Sequence, residues 1–170
     1  MKVQTETSPE YTVKSANSED AIIASAKIIL KSRLRTVGVA FTSPDLVKDH
    51  LMIQLSTLES ERFDVLFLNT QNKLIEHIPM FYGTVDSASV YPREIIKKAL
   101  ELNASALIIA HNHPSGSLVP SHADKDITNK IKAASELMDI RLLDHLIVGG
   151  MDTYSFAENG LIWKKVDKTI

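Results

Sequence analysis

Cysteine is absent from the chain. This excludes disulfides, thiolate metal ligands and a cysteine nucleophile together, while leaving the compartment open. An excess of one charge is also lacking: 19 basic residues stand against 21 acidic ones, a formal net charge of −2. Bulk electrostatics therefore drives the protein toward neither nucleic acid nor an anionic membrane, although a local patch remains compatible with it. Long apolar runs are missing too. The most apolar early stretch, Ala21 to Leu30, is interrupted by Lys27 and falls short of the roughly 20 residues that span a bilayer. The opening MKVQTETSPEYTVK has no apolar signal-peptide core. The expectation is a cytoplasmic protein with no membrane segment, no internal repeat and no low-complexity tract.

What is present suits a globular domain. With 170 residues, 44% of them hydrophobic and 24% charged, the chain can bury one sizeable core and carry a terminal extension. Residues 1 to 18 are polar and non-periodic and read as an arm. Ser18, Glu19 and Asp20 form a helix start, and Ile22, Ile23, Ala26, Ile29 and Leu30 recur at helical spacing after it. A short strand is expected over Val37 to Phe41. Thr42-Ser43-Pro44 then opens a helix to about residue 57, expected to bury Leu46, Val47, Leu51, Ile53 and Leu55.

Phe63 to Leu68 and Leu74 to Phe81, joined by Asn69-Thr70-Gln71-Asn72, read as a β-hairpin. A polar connection, Gly83 to Val90, leads to a helix opened by Pro92, with Ile95, Ile96, Ala99 and Leu100 on its buried face. Ala106 to Ala110 is apolar without interruption, as in a strand buried on both faces. Ser121 starts a helix to about Met138, Leu142 to Val148 is another buried strand, and a last one lies near Thr153 to Phe156. Helices alternate with strands, which predicts a mixed α/β class. The boundaries expected are an arm and helix over 1–36, a domain over 37–163 and a tail over 164–170.

The stretch HNHPSGSLVPSHAD, residues 111 to 124, carries the chemistry. His111 and His113 are two apart at the end of a strand, where a period of two aims both rings to one side. Pro114 and Gly116 turn the chain at once, and Asp124 falls in the first turn of the next helix. Two imidazoles and one carboxylate suit Zn2+ and leave a fourth tetrahedral position for water. Taken singly, each residue has a plainer role. Ser121-x-x-Asp124 is a capping-box pattern, and a lone His111 fits a strand end. It is the conjunction at fixed offsets that points to a metal.

These residues match H-x-H-P-x-G-x-x-x-P-S-x-x-D at every specified position, and so resemble the JAMM metalloenzymes. The stretches SERFDVLFLN, YPREIIKKALELNASALIIAHNHPSG and DHLIVGGMDTYSFAENG are similar to the RadC (UPF0758) branch over residues 37 to 163. The resemblance implies a JAB/MPN-type mixed sheet flanked by helices, similar to cytidine deaminases. It also implies zinc on His111, His113 and Asp124, with Ser121 stabilising an oxyanion. An upstream glutamate would take a proton from the catalytic water, and the family's spacing favours Glu61 over Glu59. The implied reaction is hydrolysis of a peptide, isopeptide or related amide, with one zinc per chain. Asp144 and His145, heading a strand beside the metal-bearing one, are candidates to orient a ligand from behind. His50, His77 and His122 fit no pattern and are expected at the surface.

Rival readings fare less well. The letters HNH are contiguous here, unlike the dispersed residues that name the HNH nucleases. A zinc deaminase needs a P-C-x-x-C pattern that a cysteine-free chain cannot supply. The RadC branch has an association with DNA repair, which leaves a non-catalytic, DNA-associated metal module as the alternative function. Residues 1 to 36 contain no glycine for a helix-hairpin-helix turn, which speaks against direct DNA binding.

Overall fold

The computed structural model describes residues 19–35, 43–83 and 90–163. The expected strand over Val37 to Phe41, the arm over 1–18, the tail over 164–170 and most of the connection after Gly83 lie outside the described residues. Four helices and five strands follow in the order α1 (Glu19–Arg35), α2 (Pro44–Leu55), β1 (Arg62–Leu68), β2 (Leu74–Tyr82), α3 (Pro92–Glu101), β3 (Ala106–Asn112), α4 (His122–Glu136), β4 (Arg141–Gly149) and β5 (Asp152–Ser155). The strands form one mixed sheet in the order β2-β1-β3-β4-β5. β3 and β4 are parallel, joined through α4, and all other neighbours are antiparallel.

Strand alternation divides the core into two layers. Phe63, Val65 and Phe67 of β1 and Leu107 and Ile109 of β3 face α3 and α4, where they meet Ile95, Ala99, Ile127 and Ile131. Leu66, Leu68, Ala106, Ile108 and Ala110 face the other way, onto Val47, Leu51 and Leu55 of α2. Helices on both faces explain why every residue of β3 is buried, and why its sequence reads as a continuous apolar run rather than an alternating one.

Three side chains depart from the expected burial, Ile53 being only partly buried. Leu46 and Leu100 are exposed. The buried face of α2 runs through Val47, His50, Leu51 and Leu55, a stripe of i, i+3, i+4 and i+8 that leaves Leu46 turned away. In α3 the stripe is Ile95, Ile96 and Ala99, and Leu100 lies past its edge.

The expectation that His50 and His77 are surface residues is also corrected. His50 is buried, and its Nε2 lies 2.9 Å from Nδ1 of His77. His77 Nε2 in turn lies 2.8 Å from Asp64 Oδ2, and Arg62 holds both oxygens of Asp64 at 2.8 Å. A fully buried carboxylate needs such partners; His77 in β2 and Arg62 supply them, and His50 in α2 backs His77. His122 is exposed, as expected.

Candidate metal centre

His111 is the last residue but one of β3 and continues the row Leu107, Ile109 toward α3 and α4. His113 follows directly, its amide donating to Val148 O at 2.8 Å, so the end of β3 stays fastened to β4. Gly116, at φ +78, takes the left-handed turn that folds the loop back. Ser121 caps α4 with a full capping box: its Oγ accepts from the Asp124 amide at 3.1 Å, and Asp124 Oδ2 accepts from the Ser121 amide at 2.7 Å. The plain capping role of these two residues is therefore real. It also orients the Asp124 carboxylate toward the histidines.

The three side chains converge. One ligand atom from each of His111, His113 and Asp124 lies within 4.8 Å of the others. His111 Nε2 is 3.0 Å from His113 Nε2 and 3.1 Å from Asp124 Oδ1, and His113 Nε2 is 3.7 Å from Asp124 Oδ2. Ligands about 2.0–2.1 Å from a tetrahedral zinc stand roughly 3.3 Å apart, so the triangle has the right size.

Its chemistry fits a cation as well. His113 Nδ1 lies 2.7 Å from Ser117 O. A carbonyl oxygen only accepts, so Nδ1 carries a proton, and it is Nε2 that turns to the triangle. Asp124 Oδ1 is buried with no hydrogen-bond partner among the described residues. Its 3.1 Å approach to His111 lacks hydrogen-bond geometry. Burial by itself would raise the Asp124 pKa. The bonds from the Ser121 amide and hydroxyl work against it and favour the ionised form. A buried carboxylate with an orphaned oxygen, beside the Nε2 atoms of two imidazoles, is a donor set that fits a metal ion.

The remaining expected residues divide. Glu61 stands two places before Phe63, whose ring stacks on His111 with centroids 6.2 Å apart. The pairing of β1 with β3 starts at Phe63↔His111, so Glu61 lies just outside the paired strands, where its main-chain carbonyl accepts from the Gly83 amide. Glu59 is exposed and Glu61 only partly so. Ser121 Oγ donates to Asp124 Oδ2 at 2.7 Å. His145 reaches the site from behind, its Nε2 2.9 Å from His111 Nδ1, and complete burial lowers its pKa well below the ordinary value.

Asp144 does not reach a ligand. Adjacent strand residues face opposite ways, and Asp144 shares the α2 face with Leu146. Its carboxylate accepts from the amides of His145 and Ala157 and from Ser155 Oγ at 2.6 Å, which ties β4 to the turn after β5.

Sequence reasoning missed three contributors. Asn112, between the two histidines, is buried on the opposite face. It accepts from the Arg62 amide at 2.8 Å and donates to Ser60 O at 3.0 Å, clamping the segment that carries Glu61. Ser117 acts only through its carbonyl, which no side-chain pattern reveals. Thr128, beside His145, had a readable signal: it is a polar residue four places after Asp124, on the face of α4 otherwise carried by Ile127 and Ile131.

The fold and the ligand triangle define a mixed α/β domain of JAB type with a candidate metal centre. Residues 41–161 match the RadC-like JAB domain, and the chain belongs to that family. It is 52% identical over 137 residues to the UPF0758 protein YfjY of Escherichia coli K12, covering 81% of this chain and 86% of that one. With YkfG of the same organism, identity is 49% over 141 residues, 83% and 89% of the two chains. A UPF0758 protein of Pseudoalteromonas translucida is 57% identical over 122 residues, 72% of this chain but 54% of its own length. No helix among the described residues is long and apolar enough to cross a membrane.

Proposed function

We propose that this protein is a zinc-dependent amide hydrolase, with His111, His113 and Asp124 holding the ion. One observation carries the reading: two imidazoles and an aspartate carboxyl converge within 4.8 Å, and the carboxyl oxygen nearest His111 has no hydrogen-bond donor among the described residues. When bound, zinc supplies a Lewis acid that acidifies a water molecule toward a pKa of about 7 and polarises a carbonyl.

The chain's own groups complete the chemistry. Glu61, two residues before the Phe63 that stacks on His111, takes a proton from the attacking water and later delivers it to the leaving amine. Ser121 holds one hydroxyl proton, donated to Asp124 Oδ2 at 2.7 Å. Turning that donor from the carboxylate to the substrate offers a hydrogen bond to the developing oxyanion. The substrate class supported is a peptide, isopeptide or related amide.

The test has two parts. Elemental analysis of purified protein is expected to find one zinc per chain, lost in His113→Ala. Screening an amide-substrate library is expected to find an activity that Glu61→Gln abolishes while zinc is retained. A wild-type protein without affinity for zinc would sink the proposal. So would hydrolysis undiminished in the Glu61 variant.

A further inference from the structure

We propose that Thr128 and His145 are positioning residues for the metal centre, forming a one-way hydrogen-bond relay that keeps His111 Nε2 bare and aimed at the ion. This rests on the metal-centre reading above. Thr128 lies on the buried face of α4, one turn after Asp124, and a buried hydroxyl needs partners. It has two: the main-chain carbonyl of Asp124, and His145 Nδ1 at 2.6 Å. The first alone would be the ordinary bond of a helical threonine to the preceding turn. The second extends it to the metal ligand, because the other nitrogen of His145 lies 2.9 Å from His111 Nδ1.

The direction of every bond follows from its fixed end. The Asp124 carbonyl only accepts, so the single Thr128 hydroxyl proton points there. Toward His145 the hydroxyl then accepts, which places a proton on His145 Nδ1. His145 is wholly buried, with both ring nitrogens engaged by His111 and Thr128. The neutral ring therefore accepts at Nε2 from a proton on His111 Nδ1. His111 is left with an unprotonated Nε2 facing His113 and Asp124.

The relay starts at the backbone of one ligand, Asp124, and ends on the ring of another, so a single chain of bonds braces α4, β4 and β3 around the site. The His145 ring has little room to turn, with Phe156 stacked at 4.5 Å and Phe63 at 5.8 Å between centroids. A neutral imidazole behind His111, where a carboxylate would add a negative charge, leaves the ion with more of its own charge for polarising substrate.

Zinc affinity by chelator competition and the tautomers of the metal-free protein by long-range 15N–1H NMR test the relay without a substrate. Thr128→Val is expected to weaken zinc binding by roughly 10- to 100-fold, and Thr128→Ser to restore it. In the wild type, His145 and His111 are each expected as the Nδ1–H tautomer. Zinc bound equally tightly by Thr128→Val, or His145 found as the Nε2–H tautomer in a zinc-binding protein, would overturn the relay and leave the metal centre standing. A wild-type protein with the assigned tautomers but no zinc affinity would instead overturn the metal centre, and with it the positioning role. Should Thr128→Val fail to fold, the wild-type tautomers decide.

Discussion

Two buried side chains outside the ligand triangle do much of the work at the scale of single residues. Asn112 spans three main-chain groups of the segment before β1, at Arg62, Ser60 and, more loosely at 3.4 Å, Leu58. Replacing it by alanine removes these part-buried bonds, each worth about 0.5–1.5 kcal/mol, and frees the segment that carries Glu61. Asn112→Ala is expected to keep its zinc, to unfold at lower urea, and to lose turnover more than metal. His50 sets a pH dependence. Burial, with the His77 ring beside it, lowers its pKa from 6.5 to about 4. Between those values the unfolded chain binds a proton that the folded one refuses, so stability rises with pH through the window and is complete above it. The effect is at most about 3 kcal/mol. Urea titrations of metal-free protein at pH 4 and pH 7 should show the difference, reduced in His50→Gln. His145, and the Asp64 and Asp124 carboxyls held below their usual range, add slope of the same sign.

The site at the scale of elements is a junction of three pieces: the end of β3, the start of α4, and the loop over residues 114–120. The loop is seated against the end of β4 at Gly149. A Cβ built there would lie 2.7 Å from Gly116 O and 3.0 Å from a Leu118 methyl, too close for real contacts, so Gly149 is the residue that lets loop and strand touch. Gly149→Ala is expected to cost on the order of 1–3 kcal/mol. It should weaken zinc binding further than that loss of stability implies, because displacing the loop moves the Ser117 carbonyl that holds His113. Thermal melts with and without zinc separate the two effects. Equal losses in both states would show that the loop does not support the ligand.

For the whole molecule, metal and fold are linked. The three proposed ligands come from β3, the turn after it and α4, which the unfolded chain does not hold together, so zinc held there would favour the native state. At a free concentration of 100 times Kd it should stabilise by about 2.7 kcal/mol. A melting temperature that rises with zinc in the wild type, but not in Asp124→Asn, is the expected result. The even charge balance also carries a consequence for the intact chain: no salt-dependent shift with duplex DNA is expected at physiological ionic strength.

Amino-acid order alone was enough for the elements among the described residues and for the grouping of His111, His113 and Asp124. Apolar periodicity, Pro44, Pro92 and the Ser121 cap marked helix starts that the structure places within a residue of expectation, because those signals act through bonds only a few residues apart. The spacing of His111, His113 and Asp124 was equally local, since one strand end, one turn and one helix start carry all three. Contacts across the sheet were decided elsewhere. Whether His50 is buried depends on Asp64 and His77 arriving from two other elements. Asp144 and His145 are neighbours in sequence but face opposite layers, and only strand pairing says which layer holds the ligands. The support behind the site follows the same rule: Thr128, Asn112 and the Ser117 carbonyl gain their meaning from partners distant in the chain or from main-chain atoms that every residue shares.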